Sequence, residues 1–383
     1  MKVTGIECFK YWVQWRNWLF VKVSTDEGLY GWGEASLHGS LEAVETAIHE
    51  LGRYLIGKDP AGIEAHWYGM YHAWRWRGGP ILHTALAGLE CALWDIEGKR
   101  LGVPVYRLLG GPLRTRIRAY ASHWLHGLHT RSEQQIVDEV KLARQRGFTA
   151  FKCTPFSVTE LRENEASGIA RARDLMALIR EAAGPTTEIM IECAEHFTPR
   201  QARLMARALA PYRPYWFEEP IPFENPKAMA ALRAELGVPL ATGERLLDRW
   251  QFRELLELQG ADIIQPDLIH AAGITEVRKI AALADTYYVP VAPHNSSGPI
   301  ATLMSIHLCA SIPNFLILEE IEYESELRNA VSTHPAPIVD GYFHLPTEPG
   351  IGTDLKLEVL EAGGDEYRYR PQPVSNRTVP PQY

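Results

Sequence analysis

Six acidic or imidazole side chains recur at regular intervals along the second half of the chain. Each one follows a short apolar segment, and the successive intervals are 26, 26, 23, 27 and 25 residues. The six residues are Glu192, Glu218, Glu244, Asp267, His294 and Glu319. An interval of this length accommodates one strand, one helix and two loops. In a closed barrel of parallel strands the strand ends converge on one rim, which is where such barrels hold their active sites. We therefore expect the six side chains to form one site.

The first three of these carboxylates, Glu192, Glu218 and Glu244, indicate a divalent metal site. A single acidic residue after a strand is more often a helix cap or a surface charge. Three carboxylates on neighbouring strands would repel one another and raise one another's pKa values, and a cation between them removes that cost. Three oxygen ligands without a soft ligand suit Mg²⁺. We interpret the three residues as Mg²⁺ ligands.

The following strand ends carry the residues of a general base. Asp267 lies one strand before His294 and is expected to accept the second ring N–H of that imidazole, which fixes its tautomer and raises its basicity. Glu319 is expected to bond to a substrate carboxylate or enolate oxygen, and a simple salt bridge is the alternative. Lys152 ends an earlier strand, and its position favours a contact with the substrate carboxylate over a place in solvent.

The elements that must position these residues form an alternating series from about residue 115. Eight short segments, apolar on both faces as buried parallel strands are, alternate with helical segments. The segments are 117–120, 149–152, 188–192, 215–218, 239–242, 262–265, 289–292 and 315–318. This alternation predicts a closed parallel barrel, with a doubly wound open sheet as the alternative. No GxGxxG or GxxxxGK[ST] motif follows any of these segments, which weakens the nucleotide-binding version of the open sheet.

Several residues mark where the connecting helices begin and end. Ser132 with Gln135 fits a capping box, and Gly147 fits the end of the helix that follows. The pairs Thr198-Pro199 and Asn225-Pro226 each fit an N-cap followed by proline at the first helical position. Residues 1 to about 112 have a different pattern, which predicts a three-stranded meander followed by helices.

The composition excludes several classes of function. The chain has 383 residues, a net charge of −8 and a pI near 6.0, which argues against a nucleic-acid partner. The five cysteines are scattered without CxxC spacing, so neither a disulfide framework nor a zinc site is expected. There is no signal-peptide pattern at the N-terminus and no apolar run of membrane-spanning length. We therefore expect a cytoplasmic protein without a membrane partner.

The motifs between and around these residues resemble those of the enolase superfamily, mandelate racemase subgroup. The similarity covers nearly the whole chain and is closest to the D-galactonate dehydratase-like acid-sugar dehydratases. The segments that carry it are 24–28 (STDEG), 31–34 (GWGE), 77–80 (RGGP), 92–96 (ALWDI), 218–220 (EEP), 242–245 (TGER), 262–267 (DIIQPD) and 271–275 (AAGIT).

The resemblance implies an α/β fold, a (β/α)7β modified TIM barrel with an α+β capping domain. It places the capping domain at residues 1–112, completed by the C-terminal tail at about 355–383, and the barrel at 113–354. It assigns the metal ligands, the dyad of His294 with Asp267, and Glu319 as above. It also places substrate contacts on capping-domain loops, at Arg16, Trp74, Trp76 and Arg77.

The chain departs from the family pattern at the end of the second strand. The family often has Lys-x-Lys there, with the second lysine acting as a base on one face of the substrate. This chain has Lys152-Cys153-Thr154. Threonine cannot serve as that base, so a racemase with two opposed bases is disfavoured and a single-base β-elimination remains.

A second departure concerns the general acid. The family usually has Asp as the first metal ligand, and its dehydratases place histidine two residues later to protonate the leaving hydroxyl. Here Glu192 is one methylene longer and Ala194 occupies the position of the acid. The candidates for the acid are His196, His123, His126 and a water on the metal.

The sequence and the resemblance together predict a Mg²⁺-dependent dehydratase of an aldonate-type sugar acid. Proton removal next to the carboxylate and loss of the β-hydroxyl would give a 2-keto-3-deoxy acid. The alternatives are an epimerase or cycloisomerase acting through the same enediolate, and a non-catalytic homologue that binds an acid sugar. The expected partners are a small-molecule acid sugar and further copies of the chain in an even-numbered homo-oligomer.

Overall fold

The computed structural model describes residues 1–13, 16–125, 128, 131–321 and 324–362, with the backbone alone for 123–125. The chain begins with an antiparallel meander in the order β1-β2-β3, which helices then cover. These elements, which we call the cap, are β1 (Val3–Trp12), β2 (Asn17–Thr25), β3 (Tyr30–Glu34), α1 (Leu41–Gly52), α2 (Ile63–Tyr71) and α3 (Pro80–Leu101). The predicted meander followed by helices is confirmed.

The central helix of the cap, α3, lies directly on strand β3. A Cβ atom at Gly33 would collide with the carbonyl oxygen of Gly88, and one at Gly31 would collide with that of Ala92. The two glycines of the GWGE segment therefore allow the strand and the helix backbone to touch. This close approach brings the buried side chains of α3 within reach of the barrel below.

The remaining elements form the barrel and its surroundings. They are α4 (Val105–Leu108), β4 (Arg116–Leu125), α5 (Glu133–Gln145), β5 (Ala150–Cys153), α6 (Val158–Glu163), α7 (Glu165–Ala183), β6 (Glu188–Glu192), α8 (Pro199–Leu209), β7 (Trp216–Glu218), α9 (Pro226–Leu236), β8 (Leu240–Thr242), α10 (Arg249–Glu257), β9 (Ile263–Ile264), α11 (Ile274–Asp285), α12 (Pro299–Ser311), β10 (Leu318–Ile321), α13 (Ser325–Val331), β11 (Ile338–Val339), β12 (Tyr342–His344) and α14 (Leu357–Ala362). None of the helices in these described ranges is long and apolar enough to cross a membrane.

The strands from β4 to β9 pair in parallel, and β10 returns to pair in parallel with β4. The seventh strand position is reduced to one bridging residue, Val291, which pairs with Ile264 on one side and Phe315 on the other. Pro290 and Pro293 flank it, and neither can donate a backbone hydrogen bond, which explains why this strand is so short. The sheet is closed, so the open-sheet alternative is wrong.

The interior of the barrel is filled by side chains from its strands. They are Tyr120, Ala150, Met190, Trp216, Ala241, Ile263, Ala292 and Ile317, all buried. Three alanines lie among five large side chains, and the rings of Tyr120 and Trp216 meet edge to face with centroids 5.7 Å apart. This packed layer is the floor beneath the strand ends.

The predicted helix starts are confirmed. Ser132 and Gln135 form a capping box, and Thr198 forms a second one with Gln201. The Asn225 side chain accepts the N–H of Ala228 at the start of α9. These bonds satisfy backbone donors that the first helical turn leaves unpaired, and they set where each loop above the barrel ends.

The C-terminal part contains a hairpin that the sequence did not indicate. Strands β11 and β12 pair with each other, and β12 pairs antiparallel with the start of β4. Helix α14 then contacts β1 of the cap. The rest of the predicted tail, 363–383, lies outside the described residues, and the domain boundaries at 112 and 354 stay a prediction.

One buried histidine gives the fold a specific pH dependence. His307 on α12 accepts the N–H of Tyr106 at Nδ1 (3.1 Å), and its Nε2 lies 3.1 Å from the Ile351 carbonyl oxygen. These partners require the neutral ring, and burial lowers its pKa to about 4 from 6.5. The unfolded chain binds the proton more readily, so this contribution is complete above about pH 6.5 and is lost as the pH falls toward 4.

We expect His307→Gln, which keeps one donor and one acceptor, to flatten this part of the acid dependence. Between neutral and acid pH, the wild type should lose up to about 3 kcal/mol more of its free energy of unfolding than the variant does. Denaturant unfolding at about pH 7 and about pH 4.5 measures it. His344→Gln, at an exposed site on β12, is the control. Equal acid losses in the wild type and His307→Gln would contradict the assignment.

Candidate active site

Three carboxylates meet on the rim formed by the carboxyl ends of the strands. Glu192 ends β6, Glu218 ends β7 beside it in register, and Glu244 follows β8. One oxygen from each lies within 4.8 Å of the other two. Glu218 is fully buried and the other two are largely buried. The predicted convergence of these three residues is present in the structure.

A buried lysine is surrounded by acidic groups at the same place. The ammonium of Lys152, at the end of β5, lies 3.2 Å from Glu192 Oε2 and 2.9 Å from Glu319 Oε1, and it donates to Glu218 Oε1. Burial lowers the pKa of Lys152, but the neighbouring carboxylates outweigh that effect and hold it well above its usual value. Lys152 is therefore a fixed cation inside the site.

Glu218 is held from below by two neutral donors. Its Oε2 accepts the indole N–H of Trp216 and the amide N–H of Gln265, each at 2.8 Å. Burial, above all, raises the pKa of Glu218 to about 8, although Lys152 opposes the rise. Several carboxylates on this rim share one lysine, so a further positive charge would be stabilised there.

The donor set fits a hard divalent cation. Three carboxylate oxygens from three strands face a common point, and oxygen-only ligation is the preference of Mg²⁺. A second group that also matches ligand spacing, Cys8 with Glu45 and His49, fits a metal poorly. There Glu45 is already paired with Lys10 at 2.9 Å, and burial raises the pKa of the Cys8 thiol to about 12.

The imidazole and carboxylate of the predicted dyad are bonded to each other. His294 Nδ1 lies 2.6 Å from Asp267 Oδ2, while Asp267 Oδ1 accepts the N–H groups of Ile269 (2.9 Å) and His270 (3.2 Å). Burial raises the pKa of Asp267, but His270, His294 and the backbone donor outweigh it and hold that pKa below its ordinary value. Asp267 is thus an ionised carboxylate that holds the His294 ring at Nδ1. The other ring nitrogen of His294, Nε2, is directed into the site.

The environment of Nε2 makes His294 strongly basic. This nitrogen lies 3.5 Å from Glu244 Oε2 and 3.7 Å from Glu319 Oε2. Burial disfavours the charged ring, yet the surrounding carboxylates outweigh burial and raise the pKa of His294 to about 10. Positive charge bound at Glu244 would oppose that effect and favour the neutral ring that a base requires.

Glu319 forms a buried salt bridge with Lys152 and also accepts hydrogen bonds from neutral groups. It is fully buried, and its Oε1 accepts from Ser122 Oγ at 2.5 Å. Its Oε2 accepts the backbone N–H of Asn295 at 3.0 Å. Together with Lys152 these donors orient the carboxyl group toward the space between the lysine and the imidazole of His294.

The two departures from the family pattern have visible consequences. Thr154 donates its hydroxyl to the carbonyl of Glu192 at 3.3 Å, so it serves the backbone. The longer Glu192 turns back and accepts the N–H of Ala194 at 2.6 Å. Both Ala194 and Glu195 adopt left-handed backbone, with φ of 47° and 59°. This tight turn shapes the loop where the family has its acid.

The candidates for the general acid are only partly described. His196 follows the same turn, is half-buried, and donates its backbone N–H to Cys193. The side chain of His123 and the whole of His126 lie outside the described residues. None of the three is therefore assigned by geometry, and they stay predictions.

An arginine and two further glutamates surround Glu244, the third carboxylate of the cluster. Arg245 Nη2 lies 3.1 Å from Glu244 Oε1, and its Nε lies 3.1 Å from Glu195 and 3.3 Å from Glu219. Glu219 also accepts from Gly243 N–H (2.9 Å). This network was not predicted from the sequence, although the EEP and TGER segments contain Glu219, Glu244 and Arg245.

The predicted substrate contacts on the cap divide into two groups. Arg16 is buried at the tip of the β1–β2 hairpin and pairs with Glu324, just after β10, at 2.8 Å. Trp74 is 41% exposed and Trp76 is 85% exposed, and the Arg77 guanidinium bonds to His72. No described contact joins Trp74, Trp76 or Arg77 to the rim carboxylates, and the substrate role of all four residues stays a prediction.

Known proteins resemble this chain over nearly its whole length. The mandelate racemase/muconate lactonizing enzyme N-terminal domain matches residues 11–110, and the enolase C-terminal domain-like family matches residues 135–359. D-galactonate dehydratase of Pectobacterium atrosepticum (strain SCRI 1043) is 38% identical over 366 residues, which are 94% of each chain.

Solved structures share the same architecture. An enolase from Agrobacterium radiobacter, bound to Na and L-malate, is 34% identical with a TM-score of 0.88, covering 97% of each chain. A mandelate racemase/muconate lactonizing enzyme from Jannaschia sp. CCS1 is 32% identical with a TM-score of 0.87, covering 97% of this chain and 99% of that one. These likenesses agree with the capped (β/α)7β barrel described above.

The carboxylate geometry predicts that Glu218→Gln abolishes divalent cation binding. Mg²⁺ at about 100 times its dissociation constant should stabilise the wild type by about 2.7 kcal/mol. The variant should show no such gain, because an amide replaces the central anionic ligand. Calorimetric titration and thermal unfolding with and without Mg²⁺ measure both effects.

Glu276→Gln is the matched control. Glu276 is equally buried and pairs with Arg249. It is not part of the cluster of Glu192, Glu218 and Glu244, which we call the triad, so its loss should lower stability and leave cation binding intact. Undiminished Mg²⁺ affinity in Glu218→Gln would show that the triad is not the ligand set.

Proposed function

The chain belongs to the mandelate racemase/muconate lactonizing enzyme family of the enolase superfamily, and we propose that it dehydrates an aldonate-type acid sugar with the help of Mg²⁺. One observation carries this proposal. A three-carboxylate cluster, a buried lysine and an imidazole–carboxylate dyad share one barrel rim. Each supplies one requirement for removing a proton next to a carboxylate. The relative named D-galactonate dehydratase supports the substrate class.

The reaction begins with binding of the substrate carboxylate. Lys152 is the group placed to receive it, since its ammonium is fixed in charge and points into the site. It must then exchange part of its contact with Glu218 for the substrate. Mg²⁺ held by Glu192, Glu218 and Glu244 would supply the further positive charge that stabilises an enediolate.

Proton removal follows at His294. Its Nε2 takes the α-proton, the C–H electron pair forms the enediolate, and Asp267 stabilises the resulting imidazolium through Nδ1. The positive charge of Lys152 is directed toward the enediolate oxygens. Glu319 lies between Lys152 and His294. Preorganised charge of this kind is usually the largest single contribution to such a step.

Elimination completes the reaction. The enediolate electrons expel the β-hydroxyl, which leaves as water after taking a proton, and the enol becomes a 2-keto-3-deoxy acid. His196, His123 and His126 are the candidate proton donors of this chain, and a bound Mg²⁺ would supply an acidic water as the alternative. Thr154 offers no second base opposite His294, which supports elimination over two-base racemisation.

Epimerisation or cycloisomerisation through the same enediolate is the second candidate. Ala194 favours this candidate, because its methyl side chain cannot protonate the leaving hydroxyl that dehydration requires. Solvent deuterium at C2 of recovered substrate without keto product would support it.

An even-numbered homo-oligomer and a cytoplasmic location stay predictions.

The decisive experiment is a screen of mono- and diacid sugars with Mg²⁺, detecting keto product with semicarbazide. We expect at least one acid sugar to be dehydrated by the wild type. His294→Asn should lower turnover by about 10²–10⁴-fold or more, since general-base contributions have this size. Full turnover by that variant on the same sugar would exclude His294 as the base.

Lys152→Met separates substrate binding from metal binding. The variant removes a cation that contacts two of the three carboxylates, so Mg²⁺ affinity should be retained or increased, while turnover of the identified acid sugar should be lost. Calorimetry and the keto-product assay measure the two quantities. Loss of Mg²⁺ binding together with turnover would show instead that Lys152 holds the carboxylates in place.

A further inference from the structure

The two barrel segments that carry the base dyad are anchored to the cap by buried carboxylates. Asp267 lies six residues before Gly273, the N-cap of α11, and His294 lies four residues before Gly298, the N-cap of α12. Neither N-cap residue provides a side chain to bond the first turn of its helix. A carboxylate from the cap takes that role at each helix.

Glu90 on α3 of the cap binds the start of α11. Its Oε2 accepts the N–H of Ile274 and its Oε1 accepts the N–H of Thr275, each at 3.0 Å. Thr275 Oγ1 and Trp94 Nε1 donate to Oε1 as well, each at 2.5 Å. Glu90 is fully buried, so these donors replace the solvent it has lost.

Glu34, at the end of β3, binds the start of α12 in the same way. Its Oε1 accepts the N–H of Gly298 at 2.6 Å and its Oε2 accepts the N–H of Ala301 at 3.0 Å. Ser36 Oγ donates to Oε1 at 2.6 Å. A carboxylate at a helix N-terminus is favoured both by the free N–H groups and by the helix dipole.

The N-cap glycines make room for these carboxylates. A Cβ atom at Gly298 would lie 2.8 Å from Glu34 Oε1, and one at Gly273 would collide with Glu90 Oε2. Because glycine has no side chain, the carboxylate from the cap can approach the backbone N–H groups at the start of each helix. Each N-cap glycine of the barrel is therefore matched by one glutamate of the cap.

Further contacts tie the same segments to the dyad. The loop after Asp267 donates two backbone N–H groups to that carboxylate, and the Ala272 carbonyl accepts the indole N–H of Trp67 in the cap at 2.8 Å. His270 Nδ1 lies 3.0 Å from Thr84 Oγ1 on α3. After His294, the N–H of Asn295 bonds to Glu319. These bonds connect the loop after Asp267 to the cap, and only residues 295–297 separate His294 from the start of α12.

We propose that Glu90 and Glu34 are positioning residues for the general base, because they hold the starts of α11 and α12 from the cap and so set how Asp267 meets His294. This inference rests on the proposed function for its kinetic readout. The metal half of the rim does not need these two residues, since Glu192 and Glu218 are paired in register on adjacent strands. Loss of either cap carboxylate should therefore affect the base and leave the metal ligands in place.

The test uses Glu90→Gln and Glu34→Gln in the full chain. The described groups that bond to each carboxylate are all donors, so the amide nitrogen of glutamine must face at least one donor. With Mg²⁺ saturating and well below the thermal midpoint, kcat should fall by about tenfold to a hundredfold, as small displacements of catalytic groups do. KM and Mg²⁺ affinity should stay near their wild-type values.

Asp95→Asn is the matched control. Asp95 lies on α3 five residues after Glu90, is fully buried, and also accepts only donors: the N–H groups of Trp32 and Ile351 and the Lys99 ammonium. It touches neither helix that follows the dyad. Its loss should lower the thermal midpoint as much as the other two substitutions while leaving kcat unchanged.

A direct readout of the dyad makes the test independent of substrate. The ring Nδ1–H proton of His294, shared with Asp267 over 2.6 Å, should give a far-downfield NMR signal that His294→Asn removes. The signal should shift or broaden in Glu90→Gln and Glu34→Gln and stay in place in Asp95→Asn. If no acid sugar is turned over by the wild type, the proposed function fails and this signal still decides the positioning role.

A double variant separates helix capping from attachment to the cap. Gly298 has φ of −80° and ψ of −167°, which serine adopts at an N-cap. A Cβ there would lie 3.0 Å from the Trp18 ring once Glu34 is shortened, so Glu34→Ala with Gly298→Ser should restore α12 locally after a shift of a few tenths of an ångström. We expect the thermal midpoint to recover and kcat and the ring-proton signal to remain altered. Full recovery of both, or an unchanged kcat and signal in the two Gln variants, would overturn the proposal.

Discussion

The structure depends on confining several carboxylates to one buried rim. Glu218 and Glu319 are fully buried within reach of a single lysine ammonium. Buried charge is costly unless it is paired and hydrogen-bonded. The rim meets this requirement with donors from below and beside it, including the Trp216 indole under Glu218 and the Ser122 hydroxyl at Glu319. The barrel floor is therefore a support for charge as well as a hydrophobic core.

The same requirement explains how the residues divide their roles. Lys152 stays protonated because carboxylates surround it, and His294 is made basic by the acidic groups near its Nε2. Asp267 stays ionised because backbone N–H groups and imidazoles face it. A cation at the triad would weaken the pull of Glu244 on the His294 proton and free part of Lys152. On the proposed function, metal binding and base strength would thus be coupled through charges a few ångströms apart.

Much of the rim could be predicted from the sequence, because the spacing of strand ends is a local property that the (β/α) repeat preserves. The triad, the dyad and Lys152 all follow from residues that directly succeed short apolar segments. The arginine network at Glu244 and the cap carboxylates Glu34 and Glu90 could not be found this way. The two cap carboxylates act on elements about 180 to 270 residues away, and a buried glutamate gives no sign of its partner. In the arginine network, the side chains of Arg245 and Glu195 meet only once the loops after two different strands have folded. The β11–β12 hairpin escaped because its strands are only two and three residues long.

The seventh strand of the barrel is a single bridging residue between two prolines, and it carries His294. The ring of strands is therefore more fully paired at Glu192 and Glu218 than at His294. If the proposed roles hold, the two halves of the rim would be open to separate change in evolution. Substitutions in the cap would alter the setting of Asp267 and His294, while the paired strands would keep Glu192 and Glu218 in place. A lineage built on this frame can change its reaction without rebuilding its barrel.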